Sequence, residues 1–316
     1  MATLKEILKR ESLLAPGHRA CAGCAAPTAL KLALMASEDP IVLTSATGCM
    51  EVVTAIYPYT AWRCMFIHSA FENSAATISG IETAYKALKK QGKINKKMNF
   101  VAVGGDGGTY DIGLQALSGA LERGHRFVYI CYNNEAYMNT GIQRSGATPP
   151  YAHTTTAPAG KVILGKSQWR KDLTEIAAAH NVPYVAQASP SHFTDLFRKM
   201  EKAFSAEGPA FINILAPCPR GWRHDSSKSI EMARLAVESC YWPLYEVEGG
   251  VYRVTYKPKE RYSVKEWLLA QGRFEHLKKP GNEKFVEEIE KFVEKKWNYL
   301  LSREAESANN PNNQSK

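Results

Sequence analysis

One stretch constrains the fold of this chain more than any other. Phe100 to Val103 is a short apolar run that enters Gly104-Gly105-Asp106-Gly107-Gly108. A helical pattern follows over Ile112 to Glu122, with Leu114, Leu117 and Leu121 on one side and Gly124 as its stop. Phe127 to Tyr132 is a second apolar run, ending at Asn133-Asn134. Strand, helix and strand at this spacing make a βαβ unit, so the strands are expected to be parallel with a right-handed crossover. Both strand ends then lie on one carboxyl rim, where open α/β sheets bind ligands.

The residues at that rim suit a metal and a diphosphate. Asp106 offers a hard carboxylate oxygen, Asn134 an amide oxygen, and the nearby backbone carbonyl of Ala136 a third. Mg²⁺ takes oxygen ligands octahedrally and often completes its shell with phosphate oxygens and water. Gly105, Gly107 and Gly108 let backbone N–H groups approach a phosphate where the helix begins. A glycine-rich turn alone is common, and Asn-Asn alone says less. Their conjunction, with 25 residues between Gly107 and Asn133, is the motif of thiamine diphosphate enzymes. No Gly-Lys-Ser/Thr follows the glycines, so the loop is not a Walker A loop.

The rest of the chain repeats the alternation. A short helix precedes the turn at Pro16-Gly17-His18, and Pro27 is expected to open a helix from Thr28 to Ala36. Ile41 to Thr44 reads as a buried strand and residues 75–90 as a helix. Residues 137–170 are irregular, and a loop of that length inside a compact domain is usually functional. Helix 172–180, strand 183–187, helix 191–206 and strand 210–215 follow. The expectation is a three-layer α/β/α domain over 1–225 with a mostly parallel sheet, then a helical extension over 226–303 with a short β section near 244–256. The polar segment 304–316 is expected to be a disordered tail.

Hydrophobic residues are 45% and charged residues 22%, which suits a soluble globular protein. No apolar run reaches the length of a membrane helix, and Met1 to Arg10 has no apolar signal region, so a cytoplasmic chain is expected. The net charge of +9 comes largely from lysine-rich solvated stretches such as Lys89 to Lys97. No basic stripe is interleaved with aromatics, which argues against nucleic acid.

There are seven cysteines, an odd number that argues against a disulfide framework. Cys21-Ala-Gly-Cys24 is a half-site for zinc, for a redox dithiol or for an iron–sulfur cluster. Cys49 and Cys218 each follow a strand that ends near the rim of Asp106 and Asn134. Four thiolates can close a tetrahedral zinc site or hold a [4Fe–4S] cluster, and spacing alone leaves both open. Cys64, Cys131 and Cys240 read as packing or surface residues.

With these stretches in view, the chain resembles the thiamine-binding β subunit of the multi-subunit pyruvate:ferredoxin oxidoreductase family. The resemblance is carried by Gly17 to Cys24, Thr47-Gly48-Cys49, Ala70-Phe71-Glu72-Asn73, Gly104 to Gly107, Asn139-Thr140-Gly141, Ser145 to Pro149 and Pro217-Cys218-Pro219. It implies that Cys21, Cys24, Cys49 and Cys218 hold a [4Fe–4S] cluster near the thiazolium ring, ahead of zinc. It also implies that Asn139 faces substrate. The implied reaction is oxidative decarboxylation of a 2-oxoacid, pyruvate being the commonest in the family. Electrons leave through the cluster to ferredoxin, and the acyl group passes to coenzyme A. A glutamate that activates the cofactor is expected on a partner α subunit carrying the pyrimidine-binding domain, alongside γ and ferredoxin-like δ subunits. One departure stands out: many relatives have Gly-Glu after the CxxC, and here the pair is Ala25-Ala26. Branched-chain 2-oxoacids or oxalate are alternative substrates. A non-redox thiamine decarboxylase or carboligase is the alternative chemistry, and it leaves the four cysteines idle. A zinc-stapled scaffold is a non-enzymatic alternative that leaves the metal–diphosphate pair idle.

Overall fold

A computed structural model describes residues 4–56 and 58–309. Eight strands form one sheet: β1 (Ile41–Ala46), β2 (Met65–Ser69), β3 (Asn99–Gly105), β4 (Val128–Asn133), β5 (Tyr184–Ala188), β6 (Ala210–Leu215), β7 (Tyr245–Glu248) and β8 (Val251–Val254). Their spatial order is β2-β1-β3-β4-β6-β5-β7-β8. Neighbours from β2 to β5 pair in parallel, and β7 and β8 add antiparallel.

The apolar strands are buried on both faces, and alternate side chains feed separate cores. Phe100, Ala102, Tyr129 and Cys131 enter one core with the helices Ser74–Lys90 and Leu114–Glu122 and with Trp267, Trp297 and Leu300 from the C-terminal segment. Val101, Val103, Ile130 and Tyr132 enter the other, against the helices Ala25–Leu34 and Phe193–Ser205. Helices therefore cover both sides of the sheet, the three-layer arrangement expected from the alternation. Residues 226–309 join the same sheet through β7 and β8 and the same core through their helices.

Several boundaries differ from the expectation. The helix expected from Thr28 begins at Ala25, with Pro27 as its third residue. The first-turn N–H groups lack intrahelical partners, so proline fits there as well as at the opening position. The helix expected from Ile112 is preceded by a π-helical turn, Gly107–Ile112. The glycines after β3 are thus already helical. The last helix, Glu283–Asn309, passes through the start of the expected tail. Glu304 explains this in part: its carboxylate accepts from the backbone N of Val254 at 2.8 Å and from Lys257 Nζ at 2.6 Å, anchoring the helix to β8. Residues 310–316 of that expected tail lie outside the described residues. No described helix is long and apolar enough to cross a membrane.

Candidate active site

Because β1, β3, β4 and β6 are parallel, their carboxyl ends share one rim. Thr47-Gly48-Cys49 leaves β1, Asp106 leaves β3, Asn134 follows β4, and Cys218 lies three residues past β6. A crevice opens there, lined by Thr47, Gly48, Cys49, Gly105, Gly107, Gly108 and Asn134, with Ala136, Tyr137 and Asn139 from the start of the long loop.

The metal-binding residues predicted from sequence come together. Asp106 is fully buried. The Asn134 amide oxygen stands 2.8 Å from Asp106 Oδ1 and 2.9 Å from the carbonyl oxygen of Ala136, three acceptors facing one another. Turning the amide over would let its nitrogen donate to both. In the orientation present, the spacing matches an octahedral ion: ligands at about 2.0–2.1 Å from Mg²⁺ lie about 2.8–3.0 Å from one another when adjacent. The Asn134 oxygen therefore stands at adjacent-ligand distance from each of the other two. The two asparagines differ in duty. Asn133 is spent on structure, donating to Tyr110 Oη at 2.9 Å and accepting from the backbone N of Glu135 at 3.0 Å.

Asp106 also accepts from Ser145 Oγ at 2.5 Å and from the backbone N of Asn134 at 3.2 Å. Burial nevertheless pushes its carboxyl up to about 7, against the lowering by those two donors. A carboxylate buried in this way is neutralised by a proton or by a bound cation.

The glycines leave room along the crevice. A Cβ on Gly107 would come within 2.4 Å of the Tyr137 ring, so the phenol can lie flat on the helical turn only because residue 107 has no side chain. The first N–H groups of that turn have no intrahelical acceptor and suit a phosphate. The donor set, the turn and the crevice fit a Mg²⁺-diphosphate group.

The cysteines gather beside the same rim. Gly23, between Cys21 and Cys24, has φ +74°, and a Cβ there would overlap the backbone of Ser226. Residue 23 must be glycine for the CxxC loop to close on the C-terminal segment. The backbone N of Ala25 reaches Pro217 O at 3.4 Å, tying the CxxC to the Cys218 turn. Cys218 caps the short helix Pro219–Trp222, its sulfur accepting from Gly221 N at 3.4 Å. Burial pushes the Cys24 thiol up to about 11 and the Cys49 thiol up to about 12, and burial also raises Cys218. In each case other cysteines of the set add to the rise, so the four sulfurs lie close enough to feel one another. Among the described residues, no three His, Cys, Asp or Glu side chains converge as ligands of a single ion. The other cysteines stand apart from this set in role: Cys131 is fully buried in the core and Cys240 nearly so, while Cys64 is half-buried.

Asn139 is exposed at the mouth of the crevice. Sequence reasoning missed several participants. Ser145 reaches Asp106 from the long loop, and Trp222 Nε1 donates to the backbone carbonyl of Asn134 at 2.8 Å. Thr47 lines the crevice and bonds His68 Nε2 at 2.7 Å. Ser145 lies in a stretch that carries the resemblance and on the long irregular loop, but neither points to its contact with Asp106.

Fold and site define a thiamine diphosphate-binding domain, and residues 46–214 match the family described as thiamine pyrophosphate enzyme, C-terminal TPP binding domain. The pyruvate synthase subunit PorB of Thermotoga maritima is 53% identical over 97% of this chain and 97% of its own length. The corresponding subunit of Methanocaldococcus jannaschii is 54% identical over 92% of this chain and 97% of its own. The ketoisovalerate oxidoreductase subunit VorB of Pyrococcus furiosus is 44% identical over 90% of this chain and 91% of its own. A solved 2-oxoglutarate:ferredoxin oxidoreductase from Magnetococcus marinus shares the fold, with a TM-score of 0.55 over 72% of this chain and 80% of that one at 20% identity. The chain belongs to the pyruvate synthase subunit PorB family, the β subunits of pyruvate:ferredoxin oxidoreductases.

Proposed function

We propose that this chain holds thiamine diphosphate through Mg²⁺, together with one [4Fe–4S] cluster, and acts with partner subunits in the oxidative decarboxylation of pyruvate. The observation that carries the reading is the meeting of Asp106, Asn134 and the Ala136 carbonyl on the rim that also bears Cys49 and Cys218. When bound, thiamine diphosphate supplies an electron sink for decarboxylation, and the cluster a one-electron path toward ferredoxin. The chain's own part is placement. Asp106, Asn134 and Ala136 O hold the metal, and the backbone of Gly105, Gly107 and Gly108 meets the diphosphate. Tyr137 and Met138 line the crevice and exclude water, and Asn139 orients substrate at its mouth.

Cys21, Cys24, Cys49 and Cys218 hold the cluster. A cuboidal cluster spreads its thiolates over separate irons, whereas zinc draws them to one point. The family resemblance carried by these cysteines favours the cluster. Relatives named for pyruvate are 46–54% identical and the ketoisovalerate relative 44%, which favours pyruvate over branched-chain acids. The activating glutamate resides on a partner α subunit, with γ and δ subunits completing the complex, coenzyme A taking the acyl group and ferredoxin the electrons. Metal analysis of the anaerobically co-purified complex tests the cofactor set. Iron and acid-labile sulfide lost together on replacing Cys49 support it; iron retained in full would remove the cluster from these cysteines.

A further inference from the structure

Between the two metal-facing residues Asn134 and Ala136 lies Glu135, and it points the other way. Its side chain is fully buried and its φ is +67°. That left-handed conformation suits glycine or asparagine far better than glutamate. A kink that only had to turn the chain would not select a carboxylate, and a buried carboxylate is unfavourable unless paired.

Glu135 is paired thoroughly. Oε2 accepts from Arg273 Nη2 at 2.5 Å, and Oε1 from Tyr241 Oη at 2.9 Å and Arg170 Nη1 at 3.3 Å. Its backbone carbonyl accepts from Thr148 Oγ1 at 2.7 Å. The guanidiniums are themselves fixed: Arg273 lies 4.2 Å over the Trp222 ring, and Arg170 4.6 Å over Tyr241. Trp222 in turn holds the carbonyl of Asn134. One aromatic and guanidinium layer thus grips consecutive residues of the metal loop from behind.

We propose that Glu135 is a positioning residue for the metal site, and that Arg273, Arg170 and Trp222 are its clamp. The clamp forces the left-handed kink at 135, and the kink turns the oxygens of Asn134 and Ala136 together toward Asp106. Residues 226–309, which carry no motif, contribute Tyr241 and Arg273 and so reach the cofactor site indirectly. The inference rests on reading Asp106, Asn134 and Ala136 as metal ligands.

The test uses the complex with its partner subunits, stripped of Mg²⁺ and thiamine diphosphate, and measures Mg²⁺-dependent cofactor binding by equilibrium dialysis. Glu135→Gly keeps the kink accessible but removes the carboxylate, and Trp222→Phe removes one hydrogen bond with little change of shape. Loss of a group that orients a metal ligand weakens affinity roughly 10–100-fold. Both variants are expected to need that much more Mg²⁺ for half-saturation, with kcat at saturating Mg²⁺ within about twofold of wild type. A role confined to packing would lower the melting temperature and leave the Mg²⁺ requirement unchanged. Asp106→Asn separates the two levels of the argument. If it abolishes Mg²⁺-dependent binding while both variants bind as wild type does, the clamp is overturned. If Asp106→Asn binds Mg²⁺ as wild type does, the metal reading fails and takes the clamp with it.

Discussion

The Asn134 side-chain amide and Asp106 Oδ1 meet across 2.8 Å at the ends of neighbouring parallel strands. This contact links the βαβ topology to the chemistry, because only a parallel pair places both strand ends on one rim. Without a metal, the amide turned over donates to Asp106 and to the Ala136 carbonyl.

Burial gives Asp106 a pH-dependent cost in the metal-free protein. Its folded pKa, about 7, lies above the ordinary carboxylate value of 3.8. The folded state then binds more protons than the unfolded state between those values. Stability falls as pH rises from about 4 to 7, and the cost is complete above 7. Metal-free Asp106→Asn is expected to melt roughly 5 °C or more above metal-free wild type at pH 8. The difference shrinks as pH falls toward 4, and added Mg²⁺ reverses the ranking. Calorimetry of both proteins across that range checks the sign.

The cysteines divide by role. Cys21→Ser, Cys24→Ser, Cys49→Ser and Cys218→Ser are each expected to lose the cluster's visible absorption and most of the iron. Cys64→Ser is expected to keep both. Cys131→Ser is expected to keep the iron but cost about 1–3 kcal/mol, because its hydroxyl would enter a fully buried core position. Iron assay and thermal melts on the five mutants other than Cys64→Ser, with that one as reference, separate ligands from packing residues.

Removing the cluster exposes a difference in thiol reactivity. Only thiolates alkylate quickly. With Cys24 pushed up to about 11 and Cys49 to about 12, each is overwhelmingly protonated at pH 8. In apo-protein treated with iodoacetamide at that pH, Cys24 and Cys49 are expected to label more slowly than the exposed Cys21. Peptide mass spectrometry over a time course reads the order directly.

Gly107 tests the crevice without removing a metal-binding side chain. A Cβ there would meet the Tyr137 ring at 2.4 Å. Gly107→Ala is expected to displace the ring into the crevice, cost about 1–3 kcal/mol of stability and weaken thiamine diphosphate binding at least tenfold. Calorimetry and equilibrium dialysis measure the two effects separately.

The sequence made the central βαβ unit legible because β3 and β4 are both neighbours in space and consecutive in the motif. That Asp106, Asn134 and Ala136 follow the ends of β3 and β4 could be read from local pattern alone. The edge strand β2 was not read, since Met65 and Ile67 are exposed and give no buried alternation. The π-helical turn was hidden because Gly107 and Gly108 are poor helix formers held by tertiary contacts. Glu135 was invisible as a buried acid: its partner Arg273 lies 138 residues away, and no periodicity connects them.

The most direct measurement is low-temperature EPR on the anaerobically purified complex, co-expressed with its partner subunits, before and after pyruvate and coenzyme A. A reduced-cluster signal that appears only with the oxoacid, and disappears in Cys49→Ser, is the predicted result. A complex that binds thiamine diphosphate and decarboxylates pyruvate with no iron and no signal would contradict the redox account and leave a non-redox thiamine enzyme in its place.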